Sequence, residues 1–135
     1  MDELVIQVYP DQEHGFLREP DGYWIVHIEG SSSSARSRAD LLLLGLEGFV
    51  VEYTLRFDFS ATNNETEYEA LIMGLRIAKD LRVQNLRIRT DFQLVAGQVK
   101  GDYKAREESM KKYLQKKVKD LILMFASFDI QQVPE

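Results

Sequence analysis

Apolar residues in the first half of the chain fall into short β-rich runs. Three of these runs are Tyr23–Glu29, Asp40–Glu47 and Phe49–Phe57. The serine-rich segment after the first run predicts a turn or flexible loop. Gly48, between the other two runs, is typical of the short connection that joins antiparallel neighbours. The pattern therefore predicts an antiparallel meander of three strands.

The clearest helical pattern follows this meander. Thr62 and Glu65 match the Thr-x-x-Glu capping box, in which two side chains satisfy free N–H groups of the first turn. Apolar residues then recur at helical spacing as far as Leu81. We expect Tyr68 and Met73 to belong to the core of the fold and not to a platform on which bases stack.

A strand and a short helix come next. Leu86–Thr90 alternates apolar residues with arginine, as a half-buried strand does. Thr90 and Gln93 repeat the capping-box pattern, which predicts a helix that ends within Gly97–Gly101. Asp91 is thereby placed on a turn from strand to helix.

The end of the chain predicts one more helix and one more strand. An apolar stripe at helical spacing runs from Met110 to Phe125, and Phe128–Val133 is β-rich. The whole order predicts an α/β fold with a mixed five-stranded sheet, an antiparallel three-strand meander plus two parallel strands, flanked by helices. Residues 1–21 are acidic and contain two prolines, so we expect an arm or lead-in there and the domain itself in residues 22–135.

Composition and charge narrow the class of protein. With 135 residues, 44% of them hydrophobic and 29% charged, the chain fits one ordinary globular domain, and without cysteine it has no thiol chemistry. No apolar stretch is long enough for a membrane span, so we expect an intracellular, unsecreted protein with no membrane partner. The net charge of −5 argues against non-specific binding to phosphate backbones. Lys100–Lys119 is nevertheless rich in lysine, which forms either a local basic face or a merely solvated helix surface.

Three carboxylates stand where a metal site can form. Glu29 and Asp91 each end a predicted strand, and Glu67 lies in the opening turn of the first helix, whose dipole is expected to keep it ionised. Hydrolysis of a phosphodiester with two metal ions needs such converging acids. Each acid also has an ordinary alternative role: Glu29 as a solvated strand end, Glu67 as an acid favoured by the dipole, and Asp91 as a helix cap. We expect His27 and Trp24 to be packed residues, not ligands of metals or bases.

Four segments of the chain follow one another in the order of a known family. They are DGYWIVHIEGSSSS, VEYTLRFDFSATNNETEYEALIMGL, LRIRTDFQLVAGQVKGDYKA and FDIQQVPE. On these segments the chain resembles the type 1 ribonuclease H domain, in the version carried by plant LTR retrotransposons of the Ty3/gypsy-like kind. The resemblance implies four acids that hold two Mg²⁺ ions, with Mn²⁺ as a substitute, against the RNA strand of an RNA/DNA hybrid.

The resemblance also assigns residues. Glu67 of TNNxxE and Asp91 of TDxQ match two of the family's metal-binding acids, and Glu29 stands in the place of the first, so all three are candidate catalytic and metal-binding residues. Contacts to the nucleic acid, which would read sugar hydroxyls and shape more than base sequence, are implied for a set of polar residues. These are Ser31, Asn63, Asn64 and Gln93.

The chain departs from the family at several positions. The usual DGS motif is EGS here, and the extra methylene of Glu29 displaces its carboxylate by about 1.5 Å. A misplacement of this size can lower a rate on the order of a hundredfold. Ser34–Asp40 replaces a glycine-rich turn, and the bulky Phe92 replaces a serine beside the expected metal site. The family's fourth acid lies beyond the segment that ends at Glu135, so we expect a domain truncated at its C-terminus.

Two functions from different classes follow. We favour a ribonuclease H-like, retroelement-derived domain with weak or absent activity and weakened Mg²⁺ binding, which acts as a nucleic-acid-binding or protein-interaction module. The departures at Glu29 and Phe92 support this interpretation. The alternative is an active Mg²⁺-dependent endonuclease that cleaves the RNA strand of RNA/DNA hybrids, which the intact Glu67 and Asp91 support.

Overall fold

The computed structural model describes residues 3–10, 22–32, 37–45, 49–57, 63–101 and 113–133. These residues form a mixed sheet with helices packed against it. The strands are β1 (Glu3–Pro10), β2 (Trp24–Ser32), β3 (Ser37–Leu44), β4 (Phe49–Phe57), β5 (Asn85–Thr90) and β6 (Ser127–Gln132). They lie side by side in the order β1-β4-β3-β2-β5-β6.

The predicted five-stranded mixed sheet is confirmed. Strands β2, β3 and β4 form the antiparallel meander, and β5 and β6 add to β2 as parallel strands. In β5 the buried Leu86, Ile88 and Thr90 alternate with half-buried residues, so one face of this strand supplies the core. The β2–β5 ladder ends with the pair Ile28 and Thr90, and the chain segments diverge beyond it.

The prediction of a loose acidic lead-in is wrong for Glu3–Pro10. This segment is the sixth strand, β1, which pairs antiparallel with β4 along its whole length and forms the edge of the sheet. Its apolar run Leu4–Val8 has the β-propensity of a strand, and a terminal proline is tolerated at an edge because no ladder N–H is required there. Residues 11–21 lie outside the described part of the chain.

The serine-rich segment predicted as a loop also contributes to the strands. β2 extends to Ser32 and β3 begins at Ser37, so that Ser31 pairs with Arg38 and Ser32 with Ser37. Only residues 33–36 of this segment lie outside the described residues. The hairpin is therefore tighter than the composition suggested.

The first helix, α1 (Asn63–Asp80), packs its predicted apolar stripe on the sheet. Tyr68 is fully buried, and Trp24 and Met73 are partly buried against the same core, which confirms their expected roles. At Gly74 the helix comes so close that an added Cβ would lie 3.3 Å from both Ile28 Cδ1 and Leu41 Cδ2. Glycine weakens a helix interior by roughly 1 kcal/mol relative to alanine, and here it permits this close approach.

The second helix, α2 (Gln93–Lys100), starts without the predicted capping box. Its N-cap residue is Phe92, which makes no side-chain capping bond, and Thr90 Oγ1 instead accepts a hydrogen bond of 3.2 Å from the Phe92 N–H. Thr90 is paired with Ile28 in the β2–β5 ladder. Its hydroxyl therefore bonds the N–H two residues later and does not cap the first turn of α2. The helix ends where expected, at Gly101, whose positive φ of 91° closes the last turn.

The described part of the predicted last helix is irregular and ends before the apolar stripe does. Its described part starts with a π-helical segment, Tyr113–Val118, and continues as the short helix α3 (Lys119–Ile122). Phe125, predicted to be helical, lies after the helix and is buried, while Leu123 is 80% exposed. No helix among the described residues is long and apolar enough to cross a membrane.

Candidate active site

Glu67 and Asp91 come together at one end of the sheet. Asp91 directly follows β5, and Glu67 lies in the second turn of α1, one turn later than predicted. Burial raises the pKa of Glu67 to about 7, and the negative charge of Asp91 adds to the rise. The expectation that the helix dipole keeps Glu67 ionised is wrong, because burial and a like charge outweigh it. Near neutral pH about half of the Glu67 side chains carry a proton.

Asp91 has an unsatisfied oxygen. Its Oδ1 is buried and finds no hydrogen-bond partner among the described residues, and the same is true of Thr66 Oγ1 beside Glu67. The alternative role of Asp91 as a cap of α2 is wrong, since this helix has no side-chain cap. A buried carboxylate oxygen without a partner is costly, and a bound cation would remove that cost. Sequence reasoning missed Thr66, whose place in the motif gives no sign of its burial.

A buried hydrogen bond holds the residue that follows Glu67 in α1. The Tyr68 hydroxyl donates to Gln98 Oε1 over 2.5 Å, which ties α1 to α2. Burial raises the pKa of Tyr68 to about 12, and the charge of Glu67 adds to the rise, so the phenol stays protonated and donates. Gln98 was not singled out from the sequence. The signal was present, because the hydroxyl of a core tyrosine needs a partner.

Glu29 occupies a different environment. It is exposed, and its strand alternates so that Val26 and Ile28 face α1 while Glu29 shares the other face with His27. Its cross-strand neighbour is Asp40 in β3. This is the solvated strand end that was the ordinary alternative for Glu29.

The face that carries Glu29 contains an open cavity of about 470 Å³. His27, expected to be packed, is half-buried and lines this cavity together with Glu29. Asp40 accepts a hydrogen bond of 3.0 Å from Thr54 Oγ1 and forms an ion pair of 3.4 Å with Arg38. Arg38 and Asp40, from the segment that replaces the family's glycine-rich turn, thus contribute to a polar surface on the face of the meander opposite α1.

The three candidate acids are not gathered into one cluster. Among the residues whose placement the structure describes, no group of three or more acidic or histidine side chains is arranged to hold a metal ion. Glu67 and Asp91 interact, and Glu29 does not join them in such a group. The structure therefore shows an interacting pair, Glu67 and Asp91, and a role of Glu29 as a third ligand stays a prediction. Along β2 the Glu29 side chain lies on the face opposite Val26 and Ile28.

Phe92 lies between Glu29 and the Glu67–Asp91 pair. Its ring is 6% exposed and belongs to the main core. A Cβ added to Gly30 would lie 2.9 Å from Phe92 Cε1 and 3.3 Å from Cζ, so the ring rests directly on the backbone that follows Glu29. A side chain at position 30 would therefore require the Phe92 ring to shift.

The candidate nucleic-acid-binding residues are distributed over three elements. Asn63 and Asn64 open α1, Ser31 lies near the end of β2, and Gln93 is the exposed first residue of α2. The side chains of Ser31, Asn63 and Asn64 are outside the described part of the structure. Their backbones lie at strand and helix ends, where polar groups are available to a ligand.

Comparisons with known proteins agree with this fold. Residues 26–135 match the family model described as reverse transcriptase-like. Ribonuclease HI of Halobacterium salinarum is 28% identical over 137 residues, a match that covers 98% of the chain and 68% of that protein. The crystal structure of RNase H1 from this archaeon superimposes with a TM-score of 0.70 at 27% identity, over 84% of the chain and 87% of its own length.

More distant structures show the same fold. The N-terminal RNase H domain from Mycobacterium tuberculosis, solved as a fusion with maltose-binding protein, has a TM-score of 0.74 at 22% identity and covers 84% of this chain and 83% of its own. LC11-RNase H1, solved in complex with an RNA/DNA hybrid, has a TM-score of 0.71 at 19% identity. The match covers 83% of this chain and 86% of that protein.

Proposed function

The chain belongs to the reverse transcriptase-like family and has the ribonuclease H fold, and from this premise we propose its function. It is a retroelement-derived ribonuclease H-like domain that binds RNA/DNA hybrids or related nucleic acids and has weak or absent cleavage activity. The plant LTR retrotransposon origin is part of this proposal. It rests on the resemblance of the sequence segments that contain Glu67 and Asp91.

The observation that carries the proposal is the Glu67–Asp91 pair with its unsatisfied Asp91 oxygen. Carboxylate oxygens suit Mg²⁺ and Mn²⁺, so these residues fit a divalent cation, and Glu67 and Asp91 are the residues that would hold it. When bound, the cation supplies Lewis-acid stabilisation of the phosphodiester oxygens. A cation would also explain why burying Asp91 Oδ1 without a protein partner is tolerated.

Weak activity follows from the same geometry. Burial and the charge of Asp91 raise the pKa of Glu67, so cation binding must offset the cost of ionising this carboxylate. Glu29, the third proposed ligand, stands exposed on the other face of β2. The site therefore holds a cation with fewer carboxylates than two-metal chemistry needs.

Binding of the hybrid is proposed to use the ends of β2, α1 and α2. The N-terminus of α1 carries the positive end of the helix dipole beside Asn63 and Asn64, which suits a phosphate. Ser31 and Gln93 are proposed as further contacts from the neighbouring elements. The structure of LC11-RNase H1 with an RNA/DNA hybrid supports this partner class. If the domain recognises the shape and the sugar hydroxyls of the hybrid, its binding would not depend on base sequence.

The second candidate function is an active Mg²⁺-dependent endonuclease. The coupled Glu67–Asp91 pair favours it, because these two acids suffice to hold one cation. Here Glu29, Glu67 and Asp91 would all be catalytic, with Glu29 reaching the cation only after the end of β2 moves. A protein partner is the remaining candidate for a domain that does not cut.

An assay with a labelled RNA/DNA hybrid separates these functions. The unaltered chain, Asp91→Asn and Glu29→Asp are incubated with the hybrid in Mg²⁺ and in Mn²⁺, with binding measured in parallel by gel shift. We expect binding by all three proteins and at most slow cutting by the unaltered chain. Robust Mg²⁺-dependent cutting that Asp91→Asn abolishes establishes the active enzyme instead. If the hybrid is neither bound nor cut, the nucleic-acid function is wrong and a protein partner takes its place.

A further inference from the structure

The ring of Phe92 fills the space in which two strands separate. The parallel pairing of β2 and β5 stops at Ile28 and Thr90. The next residues carry the candidate acids, Glu29 on one strand end and Asp91 on the other. Phe92 follows Asp91, and its ring lies against the backbone of Gly30.

The Phe92 ring lies between the two strand ends. A Cβ built on Gly30 would lie 2.9 Å from Phe92 Cε1, closer than carbon atoms ordinarily come, so the ring covers the Gly30 backbone on this side. The ring is held in place, because it is buried in the main core and the Phe92 N–H donates to Thr90 Oγ1. A buried, closely packed ring thus lies between Gly30 and the turn that carries Asp91.

We propose that Phe92 is a positioning residue that holds the end of β2, and with it Glu29, away from the Glu67–Asp91 pair. It thereby limits the divalent-cation site to two carboxylates. This inference rests on the proposed function, because it assigns a cation to that pair. A smaller side chain at position 92 lets the end of β2 move inwards and lets Glu29 join the site.

Direct measurement of Mn²⁺ binding tests the proposal without relying on activity. Binding is followed by electron paramagnetic resonance of free Mn²⁺ for the unaltered chain, Phe92→Val and Phe92→Ser, each with and without Glu29→Gln. Supporting groups around metal ligands typically change affinity by 10–100-fold, so we expect Phe92→Val and Phe92→Ser to tighten binding by about tenfold. Glu29→Gln should abolish this gain.

A matched control separates positioning from a general loosening of the core. Val95→Ala also opens the buried core in α2, but Val95 is not among the atoms that approach Gly30 within 4 Å. We expect Val95→Ala to leave Mn²⁺ affinity unchanged. Phe92→Val retains part of the apolar volume, so it keeps the test decisive if Phe92→Ser fails to fold in a thermal melt.

The outcomes distinguish this inference from the proposed function. If Asp91→Asn removes Mn²⁺ binding while the Phe92 substitutions leave affinity unchanged, the positioning role is overturned and the proposed cation site stands. A gain that persists with Glu29→Gln also overturns it, since the effect would not act through Glu29. If the unaltered chain and every variant fail to bind Mn²⁺, the cation site and the positioning role are both wrong.

Discussion

Glu67 and Asp91 approach each other from α1 and from the end of β5, and their interaction helps to raise the pKa of Glu67 to about 7. Two acids that are far apart in the sequence therefore lie in one partly buried site. Like charges in such a place favour a shared proton or a shared cation. The pair can be tested by pH, by added metal ions and by substitution.

The first prediction concerns the pH dependence of stability. The pKa of Glu67 is raised from 4.5 to about 7, so between these values the folded chain binds more protons than the unfolded chain. The stabilising contribution of the protonated form is present below pH 4.5 and is lost as the pH rises to about 7. After allowance for solvent screening, we expect Glu67→Gln to be more stable than the unaltered chain at pH 8 by on the order of 1 kcal/mol.

Urea unfolding of both proteins at pH 5 and pH 8 measures this effect. The difference in unfolding free energy between Glu67→Gln and the unaltered chain should be larger at pH 8. Titrating groups that do not interact with Glu67 cancel in this comparison. A difference that is equal at the two pH values would contradict a raised pKa of Glu67.

The second prediction concerns stabilisation by Mg²⁺. A ligand that binds only the folded chain stabilises it, by about 2.7 kcal/mol at a concentration of 100 times Kd. We expect Mg²⁺ at pH 8 to raise the Tm of the unaltered chain and not that of Asp91→Asn. The matched control is Asp80→Asn at the exposed end of α1, which should keep the full Mg²⁺ effect. An equal shift of Tm in all three proteins would indicate non-specific binding.

The third prediction concerns the buried bond between Tyr68 and Gln98. Tyr68→Phe removes the donor and leaves Gln98 Oε1 buried without it, which should lower the unfolding free energy by about 1–3 kcal/mol. Gln98→Leu removes the other partner. The double substitution should be less destabilising than the sum of the single ones. Additive effects in urea unfolding would show that the two side chains do not interact.

The fourth prediction concerns the contact of α1 with the sheet at Gly74. Gly74→Val places branched carbons where even a Cβ lies 3.3 Å from Ile28 Cδ1 and Leu41 Cδ2. Overpacking of this kind typically destabilises by about 1–3 kcal/mol. Ile28→Val removes one of the two contacting atoms and should recover part of the loss, which thermal or urea unfolding will measure. Stability equal to that of the unaltered chain would mean that the helix and sheet separate easily.

Much of the fold follows from local patterns in the sequence. The run Phe49–Phe57 was predicted with both ends as observed, and the apolar stripe of α1 packs where helical spacing placed it. Strand β1 was missed because acids and prolines flank its short apolar run. The capping box at Thr90 was wrong because pairing of Thr90 with Ile28 in the sheet takes precedence over local helix signals.

The candidate site was predictable only in part. The meeting of Glu67 and Asp91 follows from a strand end beside the first turns of a helix, which sequence reasoning can place. The protonation of Glu67 depends on burial, which no motif reports. The separation of Glu29 was visible in principle, since the strand period of two puts it opposite to Val26 and Ile28. The contact of Phe92 with Gly30 is tertiary and appears only in three dimensions.

The most direct test of the cation site is a crystal of the chain soaked in Mn²⁺ at pH 8 and measured for anomalous scattering. We predict an anomalous peak between the carboxylates of Glu67 and Asp91, with Glu29 outside its coordination sphere. The peak should be absent from Asp91→Asn crystals that are treated in the same way. An unaltered chain with no peak at Glu67 and Asp91, or with its peak at Glu29 and Asp40 instead, would contradict the proposed site.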